Sequence, residues 1–124
     1  MDQEKPSIRI VLYSSLARKD IEGIFEYTLN NWGEEQADRY IQGILDLLIQ
    51  VADGEMDSRL LATKKGRRFV RFKWPSSRYS HRIIFQDLPD SITVLRIIHS
   101  AQKMPSKAQL ERQESDPPDQ DPTP

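Results

Sequence analysis

The sequence has no cysteine and only two histidines, His81 and His99. Disulfides and thiolate metal sites are thereby excluded, and two histidines are too few for a zinc cluster, so neither metal nor cofactor is expected. A long apolar run is also missing. The longest stretch, Ile41 to Ala52, is broken by Gly43, Asp46 and Gln50, and the N-terminus MDQEKPSIR has no apolar signal core. No membrane association is expected, and a cytoplasmic location follows by default. With 124 residues there is room for one core and no second domain.

Charge of one sign is missing from two long stretches. Asp20 to Asp57 holds ten acids and, among bases, only Arg39, whereas Arg59 to Arg82 holds nine bases and no acid. The domain therefore has an acidic part and a basic part, and the basic part suits nucleic acid or an acidic protein surface as readily as plain solvent. Large apolar side chains are absent from Glu111 onward, where ERQESDPPDQDPTP carries four prolines and five acids. Such a segment buries too little to offset its ordering entropy, so residues 111–124 are expected to be a disordered acidic tail on a domain spanning 1–110.

What is present follows two periods. Ser7 to Ser14 alternates like a strand, with Ile8, Ile10 and Leu12 on one face and Arg9, Val11 and Tyr13 on the other. Ser14 or Ser15 can cap a helix with a stripe of Ala17, Ile21, Ile24, Phe25, Thr28 and Trp32. After Gly33 a second helix carries Ala37, Tyr40, Ile41, Ile44, Leu48, Val51 and Ala52 before Gly54 closes it. Gly23 and Gly43 fall off these stripes, which points to low-relief outer surface. Arg68 to Trp74, Ser80 to Gln86 and Ser91 to His99 read as three strands, divided by the Pro75-Ser-Ser turn and Leu88-Pro-Asp90. Ser106 to Arg112 reads as a short last helix.

The expected fold is α+β: an N-terminal strand, a two-helix hairpin, then a three-stranded antiparallel meander, all in one sheet that the hairpin covers. If the hairpin covers Ile8, Ile10, Leu12, Val70, Phe72, Trp74, Ile83 and Phe85, then Arg9, Arg71, Lys73 and Arg82 emerge on the open face. Arg96 is expected to join them, because burying its charge under the helices is costly. His99 falls on the opposite parity, as a core or capping residue. No Tyr, His or carboxylate stands in a recognisable pairing with these arginines for proton transfer, so no catalytic residue is assigned.

Four strings carry a family resemblance: AxxDIEGIFEYT at Ala17 to Thr28, WGEEQADRYI at Trp32 to Ile41, SHRIIF at Ser80 to Phe85, and VLRIIHSAQKM at Val94 to Met104. In this order and spacing they resemble the ParE toxins of the RelE/ParE toxin–antitoxin superfamily, over about Ser7 to Lys107. The resemblance implies a growth-arresting toxin of the plasmid-stabilisation kind that binds DNA gyrase and blocks replication. It also implies a ParD-like antitoxin that wraps the hairpin and sheet in a heteromeric complex, and no sequence-specific contact with nucleic acid. Arg71, Arg82, Arg96, Lys103 and Met104 are expected to meet the target, and Phe69, Phe72, Trp74, Tyr27 and Tyr40 the antitoxin. The alternative is a RelE-like ribosome-dependent mRNA endonuclease. Such relatives usually carry a Tyr just after the last strand, where this chain reads Ser100 to Pro105 without one. Many ParE-like chains also place Arg and Asp where Gln102 and Lys103 stand here.

Overall fold

The computed structural model describes residues 9–60, 66–74 and 78–123, with the side chains of Arg59 and Leu60 left aside. Ile8 and the Pro75-Ser-Ser turn lie outside the described residues. The elements are β1 (Ile10–Tyr13), α1 (Ser15–Trp32), α2 (Glu34–Ala52), β2 (Arg59–Leu60), β3 (Arg67–Lys73), β4 (Ser80–Asp87), β5 (Ser91–His99) and α3 (Lys107–Ser115). The strands form one sheet in the order β1-β5-β4-β3-β2. This is the expected α+β arrangement with the two-residue strand β2 added at one edge.

Local chemistry sets the hairpin. Ser14 accepts the Ala17 N–H and donates its hydroxyl to the Leu95 carbonyl, so one buried side chain caps α1 and ties it to β5. Gly33, at φ 95°, is the single residue between the helices, and a side chain there would be strained. Glu34 and Glu35 then sit at the positive end of α2. The buried residues of both helices keep 3- and 4-residue steps, from Ala17, Ile21, Ile24 and Thr28 to Tyr40, Ile44, Leu48 and Val51. They pack on Ile83, Phe85, Ile92, Val94 and Ile97. Each large apolar side chain fully buried in this layer contributes roughly 1.5–3 kcal/mol.

Four placements differ from the sequence reading. The first concerns β1, whose other face meets the helices: Tyr13 and Val11 join the hairpin-side core, while Ile10 is 46% exposed. β1 pairs parallel to β5 with Val11 opposite Ile92 and Tyr13 opposite Val94, and that register fixes the face. Arg9 consequently leaves the other face of the sheet and donates to the Val51 and Ala52 carbonyls, capping the negative end of α2, with Asp87 as its ion pair. The second is Gly43, where an added Cβ would lie 2.5 Å from Phe72 Cζ, so this glycine seats an aromatic ring instead of marking outer surface. Gly23 does face open space.

The third difference is that the sheet's second face is not open. Ile84, Leu95 and Ile98 form a smaller cluster there with Leu110 of α3, flanked by Phe69 and Met104. The domain has three layers over this part, where two were expected. The fourth is the tail. The expected boundary between 110 and 111 falls inside α3, whose Glu114 forms a two-bond ion pair with Arg67 at 2.8 and 3.0 Å. Beyond it, Asp119 pairs with Tyr13 through backbone bonds of 2.7 and 3.0 Å, and Asp116 accepts the Ser15 hydroxyl. Within 111–123, Glu114, Asp116 and Asp119 thus make charge and backbone contacts to the domain, which composition alone does not register. Among the described residues, no helix is long and apolar enough to cross a membrane.

Candidate partner-binding faces

The basic side of the sheet is built by strand alternation. Phe69, Arg71 and Lys73 share one face of β3, and Arg71 lies directly opposite Arg82 of β4. Like charges in opposed positions repel, so the pair costs stability unless an anion joins it. Arg71 is exposed and, among the described residues, has no carboxylate partner. Arg82 is held from behind: its guanidinium donates to the Ser100 and Gln102 carbonyls in the turn after β5, while its buried Nε has no hydrogen-bond partner. A hollow of about 440 Å³ lies beside the two arginines, walled by Asp57, Ser58, Phe69 and Val70.

The other three residues expected to meet a target are scattered. Arg96 does not join the face. Leu95 is an extra residue in β5, because Ile84 pairs with Arg96 and Phe85 with Val94. The uncovered edge of β5 beyond β1 is bound by α1. There Asp20 accepts from the Arg96 guanidinium at 2.8 and 3.1 Å and from the Ile97 N–H at 2.8 Å. This satisfied pair turns the charge of Arg96 toward the helix. Met104 packs against the cluster under α3, and Lys103 is exposed.

The residues expected to meet an antitoxin divide by burial. Tyr40 is 1% exposed and lies inside, with Phe72 edge-on at 5.0 Å and Trp74 at 5.8 Å. It is a core residue and cannot present its ring to a partner. Phe72 and Trp74 are half-buried against the same core, and Phe69 lies on the opposite face near α3. Of the five, Tyr27 is the exposed one. Trp32, which sequence reasoning left in the helix stripe, stands beside it at 5.9 Å, and both contact Tyr79.

Beneath this patch the strands assemble a cluster that the sequence did not announce. His81 and His99 are cross-strand neighbours with ring centres 5.5 Å apart, and Tyr79 packs on both. The Tyr40 hydroxyl bonds His81 Nδ1 at 2.9 Å. Burial, reinforced by His99, lowers the His81 pKa to about 4, so this imidazole is neutral at pH 7. Burial also raises the Tyr40 hydroxyl, with Tyr79 adding to the shift. His99 Nδ1 accepts the Ala101 N–H, and Gln102 accepts the His99 N–H, which is the capping role expected of a strand-end histidine. A cleft of about 330 Å³ reaches this cluster, but its carboxylate, Asp20, is already bound by Arg96. The cluster can supply stacking surface and neutral hydrogen-bond groups. The period-2 pattern of β4 and β5 put both histidines on the hairpin side, and only their cross-strand register was missing.

A family model described as the ParE toxin of the type II toxin-antitoxin system parDE matches residues 11–104. Among solved structures the chain is similar to one described as the chromosomal ParDE TA system from P. aeruginosa. The two share 18% sequence identity at a TM-score of 0.56, over 74% of this chain and 96% of that one. At this identity the likeness establishes the fold. No curated protein matches the sequence.

Proposed function

From the premise that the chain belongs to the ParE toxin family of type II toxin–antitoxin systems, we propose that it arrests growth by binding DNA gyrase, without catalysis, and that a ParD-like antitoxin neutralises it. One observation carries the reading: Arg71 and Arg82 are opposed across β3 and β4 at the rim of a hollow. Two adjacent guanidinium groups recognise an acidic protein surface or a phosphate backbone. Lys103 extends the same charge from the turn that holds Arg82.

The binding reading is supported by the surroundings of these arginines. General acid–base chemistry needs a titrating group within reach of the reacting atoms. Here Arg82 is surrounded by backbone carbonyls, Arg96 is bound to Asp20, and His81 bonds Tyr40 on the other side of the sheet. The antitoxin is assigned the exposed aromatic pair Tyr27 and Trp32 and the hairpin's outer surface, which offers apolar rings at low entropic cost.

The test is a supercoiling assay with purified gyrase, run beside a translation system that reports mRNA cleavage. The wild type should inhibit supercoiling and accumulate cleaved DNA while leaving ribosome-bound mRNA intact. Arg71→Ala combined with Arg82→Ala should lose at least tenfold in potency, with circular dichroism confirming the fold. Cleavage of mRNA in the ribosomal A site with gyrase spared would establish the endonuclease reading instead.

A further inference from the structure

Part of the sheet's second face, around Ile84, Leu95 and Ile98, and the β1 edge at Tyr13 are covered by this chain's own C-terminal segment. Three independent contacts hold it. Leu110, 1% exposed, packs on Ile84, Leu95 and Ile98. One helical turn later, and therefore on the same side of α3, Glu114 pairs with Arg67, with side-chain exposures of 8% and 0%. Past the helix, Asp119 extends the β1 edge by pairing with Tyr13 and meets Arg18 at 2.9 Å. Ser106 starts the segment with a capping box to Gln109, so the helix begins at a defined place.

The chemistry of this occupant is specific. It is a short amphipathic helix with a leucine and a glutamate four residues apart, followed by an extended acidic strand. The surface beneath is its complement: an apolar floor, a buried guanidinium, and a strand edge whose Tyr13 N–H and carbonyl both pair with Asp119. A nine-residue helix is marginal on its own, so the segment depends on these contacts and can exchange with a competitor.

We propose that this face and edge form one docking track for an acidic helix-then-strand segment, that residues 106–123 fill the track in cis, and that a partner using it must first displace them. Displacement would add Arg67 to the basic row of Arg71 and Lys73. The proposal is independent of which molecule the toxin poisons.

The experiment uses the full chain and a fluorescein-labelled synthetic peptide of residues 106–123. A full-length variant carrying Leu110→Asp and Glu114→Lys has a weakened cis segment and an intact track. Fluorescence anisotropy should show the wild-type peptide binding this variant at least tenfold more tightly than the wild-type chain, and a Glu114→Lys peptide should bind it at least tenfold more weakly. Equal binding to both chains, or no binding to a variant whose circular dichroism is native, would overturn the proposal. Should the variant fail to fold, amide hydrogen exchange on the wild-type chain decides. The Asp119 N–H should exchange at least tenfold more slowly than in the free peptide, and exchange at the peptide rate would refute cis occupancy.

Discussion

The two faces of the sheet are held by different physics. On the hairpin side, the described residues include fifteen buried ones in one core, nine of them from two helices of 18 and 19 residues and six from the strands. On the other side, four buried residues and an ion pair secure a helix of nine. Apolar area makes the first face durable. The second rests on a smaller apolar cluster, one buried ion pair and a few backbone contacts, so it is expected to open at lower cost than the first.

The largest expected effect is on the durable face. Phe85 is fully buried beneath the hairpin, and Phe85→Ala should cost about 3–5 kcal/mol, enough to unfold a marginal domain. Urea denaturation followed by far-ultraviolet circular dichroism checks this, and a loss below about 1 kcal/mol would mean the hairpin layer is loosely packed. Glu114→Ala acts on the other face. It removes the carboxylate beside the fully buried Arg67, which would cost about 3–5 kcal/mol in a rigid interior. On the proposal that α3 is displaceable, water reaches the guanidinium in the variant and a smaller global loss of about 1–2 kcal/mol is expected. Hydrogen exchange should show residues 107–119 losing protection while β4 and β5 keep theirs.

Stability should also respond to pH through the hairpin side. His81 titrates near 4 in the folded protein and near 6.5 when unfolded, so the unfolded chain binds more protons between those values. Its contribution is complete above about pH 6.5 and is lost as pH falls toward 4. The span of about 2.5 pH units corresponds to roughly 3 kcal/mol. His81→Gln should flatten that part of a stability profile measured by denaturant midpoints at successive pH values. An unchanged slope would show that His81 is solvated.

The smallest effect separates the two helical glycines. Gly23 faces open space, so Gly23→Ala should stabilise by about 0.5–1 kcal/mol through helix propensity. Gly43→Ala meets the Phe72 ring and should destabilise, because the displaced ring disturbs packing by about 1 kcal/mol or more. Thermal melts of the two variants should move in opposite directions.

This contrast also marks what the sequence made legible. The hairpin face was readable because its buried residues repeat at helical spacing, and because Val70, Phe72, Ile83 and Phe85 fall on one face of β3 and β4. Even Tyr40 sat on the apolar stripe of α2, which implied the burial that excludes it from a partner surface. The face of β1 was not readable, since Ile10 and Val11 are equally apolar and only the parallel register with β5 chooses between them. Arg96 was misplaced because the extra residue Leu95 breaks the parity that the sequence rule assumes. The C-terminal segment looked unable to fold because its anchors are one leucine, one glutamate and a strand bridge, each satisfied by residues far away in the chain. Of the candidate site, Arg71 and Arg82 were legible as face-sharing positions. Their support by the Ser100 and Gln102 carbonyls needed the structure.

The central claim, a toxin that acts by binding gyrase, is tested most directly inside a bacterial cell by following DNA and protein synthesis with pulse labels after the chain is induced alone. The account predicts that DNA synthesis falls within minutes while translation continues, that Arg71→Ala with Arg82→Ala delays the fall, and that co-expression of a cognate ParD-like antitoxin abolishes it. Translation collapsing first with DNA synthesis still running, or growth unaffected at full expression, would contradict it.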